Sequence, residues 1–335
     1  MKTLIIGHED VKRLLPMAEC IDVMEDLFGA LARGDVILPL RQVISQPDKK
    51  GVFGVMPAYL GSPRAIGGKF ITVFNGNRDT PYESHQGAVL LFECDNGRLL
   101  AIVDATTVTN IRTAAASGVA TRALARKDAR DLAILGSGTQ ASTHLAAMRA
   151  VREITRVRVW SRNAEHARRF AESEGKGGQR VDVSSSAEEA VSGADIICTT
   201  TAATSPILKG EWVSSGAHIN AVGASVPGFR ELDSKAMAIS KLYTDRRESL
   251  FSEADDFRVP LKEGAIKEDH LKGEVGEVII GKAAGRLSDA EITLFKSHGL
   301  AVEDLAAAHH VYAKAEENRL GTRVEFSGER ETLSE

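Results

Sequence analysis

The chain has 335 residues, 43% of them hydrophobic and 26% charged, with a formal net charge of −4. These are the proportions of an ordinary globular protein, and the length is enough for two domains. No long block of like charge points to nucleic acid, and no run approaches the ~20 apolar residues of a membrane span.

The first apolar run, Leu4 to Ile6, is broken at once by Gly7, His8, Glu9 and Asp10, too early for a signal peptide. Residues 9–33 carry apolar side chains at helical spacing, and Pro16 divides a short helix from a longer one. Strand-like runs follow at 52–59, 65–74 and 88–104, the last a hairpin turning at Asn96-Gly97. Strands in succession without helices between them predict an antiparallel or mixed sheet. Residues 105–126 read as a long helix of small side chains, suited to close packing. From residue 131 strands and helices alternate: DLAIL, a helix 139–151, RVRVW, a helix 164–174, a strand near Val181, a helix 187–192, then ADIICTTT, HINAVGA and KLYTD. That rhythm predicts a parallel, doubly wound α/β sheet. A last helix, 301–320, is expected to return to the first domain, and the polar tail after Gly321 to be loosely ordered. Cys20, Cys94 and Cys198 form no C-x-x-C pair. No disulfide and no metal site are expected, and buried thiols in a reducing cytoplasm are the simpler reading. The adjacent pair His309-His310 faces two directions on a helix and makes no metal site.

The sharpest motif is Gly136-x-Gly138-x-x-Ala141, placed between an apolar strand and a helix. Gly136 permits the tight turn, Gly138 lets backbone approach a pyrophosphate, and Ala141 keeps helix and sheet close. Backbone N–H groups at the helix start, around Thr139 and Gln140, suit the anionic phosphates. The second strand ends in Ser161-Arg162-Asn163, with no acid for ribose hydroxyls. A guanidinium there matches a 2′-phosphate, which favours NADPH over NADH. Ligands of such sheets lie outside the carboxyl ends of the strands. Thr200 and Thr201 are therefore expected near the ribose, and Val222 and Gly223 beside the nicotinamide.

Together SHQGAVLLFECDNGRLLAIVDATTVTNIRTAAASGVAT, AILGSGTQA, VWSRN, SPILKGEWVSSGAHINAVGAS-x-P-x-x-REL and FKSHGLAVED resemble the ornithine cyclodeaminase/mu-crystallin family over nearly the whole chain, most nearly its ketimine-reductase branch. The resemblance implies a homodimer with a Rossmann domain at 121–300, inserted between a substrate-binding and dimerisation domain at 1–120 and a returning segment at 301–335. It implies that Arg41 and Arg112 meet a substrate carboxylate, that Lys69 stands beside the reacting carbon, and that His298 and Gly299 approach the cofactor from its other side. His85, in the matching SHQ block, is expected in a structural role. Two departures from the cyclodeaminases bear on the reaction: Ser225 replaces an Asp, and Gly54 replaces a Glu. Losing ammonia and closing a ring needs carboxylates as bases. Imine reduction needs less, because a protonated C=N is already electrophilic.

The reaction so implied is NADPH-dependent reduction of a small 2-carboxy imine, such as piperideine- or pyrroline-2-carboxylate or the imine of a 2-oxo acid and an amine. Lys69 would act through its charge or as a proton relay, and Ser225 would orient the substrate nitrogen or a water. The other readings are an alanine- or opine-type dehydrogenase, an ornithine cyclodeaminase, and a cofactor-loaded binding protein with little turnover.

Overall fold

The computed structural model describes residues 2–77, 80–175 and 180–326. In chain order they form β1 (Lys2–Ile6), α1 (His8–Leu14), α2 (Met17–Arg33), β2 (Val36–Ile37), β3 (Gln42–Ser45), β4 (Val52–Gly61), β5 (Arg64–Val73), β6 (His85–Phe92), β7 (Leu99–Asp104) and α3 (Ala105–Leu124). There follow β8 (Asp131–Leu135), α4 (Thr139–Val151), β9 (Arg156–Trp160), α5 (Ala164–Glu174), β10 (Val181–Val183), α6 (Ala187–Val191), β11 (Ile196–Thr199) and β12 (His218–Ala221). The chain continues through α7 (Ser234–Ile239), β13 (Lys241–Thr244), α8 (Arg247–Glu253), α9 (Asp255–Lys262), β14 (Leu271–Glu274), α10 (Val275–Ile279), β15 (Thr293–Lys296), α11 (Ala301–Asn318) and β16 (Thr322–Glu325). Two compact units result. One comprises Met1–Val23, Arg33–Arg112 and Leu300–Glu335, the other Met24–Ala32 and Thr113–Gly299. The division falls inside α3 after Arg112, whereas the boundary drawn from sequence lies at residue 120, and Met24–Ala32 group with the second unit.

In the first unit a mixed sheet is ordered β16-β1-β7-β6-β5-β4-β2, with β3 also on β4. Only the β1–β7 pair is parallel. Period-two burial along β4 turns Gly54, Met56, Ala58 and Leu60 inward, and α11 packs on β4, β5 and β6. The β6–β7 hairpin turns as expected, with Gly97 at φ +75° and the Arg98 N–H donating to Asn96 Oδ1 at 3.0 Å. The loosely ordered tail is corrected in part. Thr322–Glu325 pair antiparallel with β1, since β1 offers an edge whose backbone groups need partners. Residues 327–335 lie outside the described residues.

The second unit is a parallel sheet ordered β10-β9-β8-β11-β12-β15-β13-β14, the doubly wound α/β architecture the alternation predicted. Its apolar runs are buried on both faces, as parallel sheets require. Ala133, Leu135, Ile197, Ile219, Leu242 and Leu294 stand in one core with residues of the covering helices. Strands β14 and β15 were not foreseen, because LKGE and TLFK are short and end in charge. Among the described residues no helix is long and apolar enough to cross a membrane.

Leu294, on β15 between β12 and β13, is fully buried. Leu294→Ala is expected to cost about 2–5 kcal/mol. Urea unfolding should show a lower midpoint at unchanged slope.

Candidate active site

In the second unit β8 ends at Leu135 and α4 begins at Thr139, so Gly136-Ser137-Gly138 is the whole turn. Gly136 sits at φ +128°, and a Cβ there would stand 2.5 Å from Thr200 Oγ1 and 2.8 Å from its carbonyl oxygen. Only glycine fits. Gly138 differs: a Cβ on it would meet nothing within 4 Å, and as N-cap of α4 it brings no side chain to the first helical amides. That combination of open space and uncapped N–H groups suits a pyrophosphate. Ala141 is fully buried. At the end of β9, Ser161 is half-buried and Arg162 exposed. Asn163 caps α5, its Oδ1 accepting from the Glu165 N–H at 3.0 Å.

The carboxyl ends of β11 and β12 are tied by a residue the sequence reading did not single out. Glu231, fully buried, accepts from Thr199 Oγ1 at 2.7 Å, the Thr201 N–H at 2.6 Å, Thr201 Oγ1 at 2.8 Å and the Gly223 N–H at 2.8 Å. A Cβ at Gly223 would lie 1.9 Å from the Thr201 carbonyl oxygen, so the two loops meet backbone to backbone. Burial, then Asp256, pushes the Glu231 carboxyl upward, with Lys296 opposing. Asp256 Oδ1 accepts from the Glu231 and Leu232 N–H groups, and its Oδ2 lies 3.4 Å from Lys296 Nζ. Asp245 does comparable work at β13, accepting from the His298 and Gly299 N–H groups at 2.6 and 2.9 Å. Val222 N donates to the Thr199 carbonyl at 3.0 Å, and Thr200 N to that of Leu135 at 2.9 Å.

The first unit holds a cluster of buried charges. Lys69 on β5 and Arg112 on α3 are each 3% exposed. Asp304, in the first turn of α11, places Oδ2 2.8 Å from Lys69 Nζ and Oδ1 2.9 Å from Arg112 Nε. Glu303 Oε2 takes Arg112 Nη1 at 2.6 Å. Acids in a first helical turn also face the positive end of the helix dipole. Lys69 Nζ lies 3.4 Å from Thr109 Oγ1.

Burial pushes the Lys69 ammonium down to about 8; Asp304 resists, while Arg112 and Arg41 add to the fall. Burial also works against the Arg112 cation, but Asp304 and Glu303 outweigh it and hold its pKa above the ordinary value. Asp304 is likewise penalised by burial, yet Arg112 and Lys69 keep it below the usual carboxylate range. His85, at the start of β6, is pushed down to about 4 by burial and then by Lys69 and Arg112, so it is neutral at pH 7. Its Nδ1 lies 2.9 Å from Ser84 Oγ.

Lys69 and Arg112 are thus brought together through one carboxylate, with Arg41, half-buried just before β3, close enough to act on the ammonium. Ser225, half-buried in the loop after β12, belongs to the second unit, as do the residues expected to hold the cofactor. The cations of the first unit are already balanced by Glu303 and Asp304, neither of which was singled out from sequence. The available signal was a pair of adjacent acids opening an otherwise alanine-rich helix. Gly54 pairs with Val43 and Ile71, and a Cβ there would make ordinary contact with Ile71 at 3.5 Å; packing does not impose the glycine.

The model of the ornithine cyclodeaminase/mu-crystallin family matches residues 1–319. Ketimine reductase mu-crystallin of Mus musculus is 45% identical over 279 residues, 83% of this chain and 85% of its own length. The structure of Thermococcus litoralis Δ1-pyrroline-2-carboxylate reductase, in complex with NADH and L-proline, superposes with a TM-score of 0.94 at 39% identity, covering 96% of this chain and all of the other. An archaeal alanine dehydrogenase dimer with bound NAD superposes at 0.92, with 35% identity over 98% of this chain and all of that one. With a family model spanning nearly its whole length and these relatives beside it, the chain belongs to the ornithine cyclodeaminase/mu-crystallin family.

Proposed function

We propose that the protein is a nicotinamide-dependent reductase of small 2-carboxy imines, with NADPH the preferred reductant. The observation that carries the reading is the buried Lys69–Asp304–Arg112–Glu303 cluster. It is a dry, preorganised cation pair in a chain that also carries a dinucleotide fingerprint. The relatives named for ketimine and pyrroline-2-carboxylate reduction support it.

The substrate carboxylate is taken by Arg41 and Arg112. The ion pairs to Glu303 and Asp304 use two N–H groups of Arg112, leaving the rest of its five donors for a ligand. Lys69 holds a proton that it can donate to the imine nitrogen or share with the carboxylate. Ser225 orients the nitrogen or a water through a hydroxyl that both donates and accepts. When bound, a nicotinamide dinucleotide would supply the hydride for reduction of C=N to an amine, the proton coming from the residues named above. Gly136, Gly138, Thr139, Gln140 and Ala141 seat its pyrophosphate. Thr200, Thr201, Val222, Gly223, His298 and Gly299 shape the nicotinamide half, and Ser161, Arg162 and Asn163 meet the adenosine ribose. With Ser225 and Gly54 where an Asp and a Glu would serve deamination, the cluster is equipped for reduction rather than ring closure with loss of ammonia. Cyclic ketimines of five or six atoms are the favoured substrates, and L-proline in the T. litoralis complex supports the smaller ring. The likeness to an archaeal alanine dehydrogenase favours one second reading, reductive amination of a 2-oxo acid. A homodimer is supported by the exposed apolar side chains Ile37, Val43, Ile44, Phe53, Phe70 and Tyr82 on the first unit, and a cytoplasmic setting by three free thiols.

Oxidation of NADPH with piperideine- and pyrroline-2-carboxylate, run beside pyruvate plus methylamine and L-ornithine plus NAD, tests the reading. Rapid oxidation with a cyclic imine is expected; silence there with ammonia released from ornithine overturns it. Since Lys69 titrates near 8 and is competent only when protonated, kcat/KM should be full below that pH and fall above it. A profile flat into strong alkali counts against the assignment. Arg112→Ala would take the guanidinium away from two buried carboxylates, with Asp304 keeping Lys69, at a cost of about 3–5 kcal/mol, so Arg41→Ala is the cleaner probe of the clamp. It should raise KM for the imine roughly 10- to 100-fold, the worth of one hydrogen bond to a charged group. Arg162→Ala should raise KM for NADPH about tenfold or more while barely moving KM for NADH; parallel changes would remove the 2′-phosphate role.

A further inference from the structure

Lys69 is a flexible side chain enclosed in the protein, and two forces act against its charge. Burial favours the neutral amine, and Arg112 on α3 and Arg41 before β3 add like charge. The other groups facing it are Thr109, His85, which is neutral at pH 7, and the two acids of α11. Of those acids, Glu303 is spent on Arg112 Nη1. Asp304 is the one whose carboxylate lies against the ammonium, at 2.8 Å, while its second oxygen holds Arg112 Nε at 2.9 Å. It is fully buried, so water and salt screen it far less than a surface charge.

We propose that Asp304 is the positioning residue of the site: shared between the Lys69 ammonium and Arg112 Nε, it fixes the spacing of the two cations and sets the pH range in which Lys69 can give up a proton. The inference rests on the imine-reductase reading for its catalytic meaning, though not for its electrostatics. The sign follows from the neighbours. With the carboxylate gone, burial and two arginines still act on Lys69 without the acid that opposed them most directly. The ammonium then deprotonates at lower pH, and the variant is impaired most at neutral and alkaline pH and least in acid.

The test is Asp304→Asn, which keeps the shape and an acceptor for Arg112 while removing the charge. In full-length protein labelled with 13C-lysine, the Lys69 side-chain resonance, identified by its absence in Lys69→Arg, should titrate near pH 8 in the parent. In Asp304→Asn the midpoint should lie lower by about one pH unit or more, the usual effect of removing an opposite charge at this distance. The alkaline limb of kcat/KM should move with it, so that activity partly returns on acidification. A purely structural loss would lower activity equally at every pH. Coincident midpoints in the two proteins, or a loss independent of pH, would overturn the proposal. Glu303→Gln should leave the limb in place. Should Asp304→Asn be misfolded, as a lost urea transition would show, Asp304→Glu decides: charge is retained, so the limb should stay while kcat falls, and a limb displaced to acid pH would sink the idea. If the parent reduces no imine, the functional reading fails on the assay alone, and the resonance titration still judges Asp304.

Discussion

A carboxylate shut away from water must be neutralised where it stands, because the cost of burying it unpaired runs to several kcal/mol. In the first unit that requirement gathers β5, α3 and α11 around Asp304. Lys69 and Arg112 come from stretches of chain far apart, and the hydrogen bonds joining Arg112 to Glu303 and Asp304 span 191 and 192 residues. Remove any one partner and the balance of buried charge among the others is upset. The site and the packing of the unit are therefore one problem, and the same ion pairs that hold α11 on the sheet also arrange the groups that would meet a substrate. A buried ion pair contributes little net stability over an apolar replacement; its worth here is geometric.

The second unit uses the same device for a different purpose. Glu231 carries no charge to a ligand. It collects hydrogen-bond donors from the ends of β11 and β12, where a parallel sheet opens into loops that would otherwise be free to move. Lys296 completes that network through Asp256 and the carbonyl of Ala221 at 3.2 Å. One unit thus spends buried polar groups on a charge cluster and the other on loop geometry, in keeping with a binding pocket for a small anion and a rigid cradle for a long cofactor.

What the sequence made legible depended on how local the physics is. The turn at Gly136 is dictated by one backbone angle and one neighbour, so three residues at fixed spacing were enough to locate it. The hairpin at Asn96-Gly97 and the break at Pro16 were readable for the same reason. Strands β14 and β15 were not, because four-residue runs ending in Lys or Glu gain their strand character only from neighbours already in the sheet. Lys69 and Arg112 were reachable through the motifs around them. Glu303 and Asp304 were not, since acids opening a helix are ordinary companions of its dipole, and only the folded chain shows that these two face inward. Glu231 was hidden likewise: nothing in REL announces that its side chain has four donors waiting.

Strand β1 lies between β7 and β16, pairing Lys2–Ile5 with Thr322–Glu325, and α11 covers β4 to β6 of the same sheet. The stretch up to β7 therefore leaves the ribosome as a half-finished structure. Its covering helix and last strand arrive only after the whole second unit has been made. At ordinary synthesis rates that interval is about 10–40 s, long compared with the folding of a hairpin. During it the inward apolar face of β4 and β5 has no cover of its own, and Lys69 has no acid beside it. The nascent sheet is thus a stage at which apolar surface open to aggregation persists, whereas the strands of the parallel unit are all present once residue 296 has emerged.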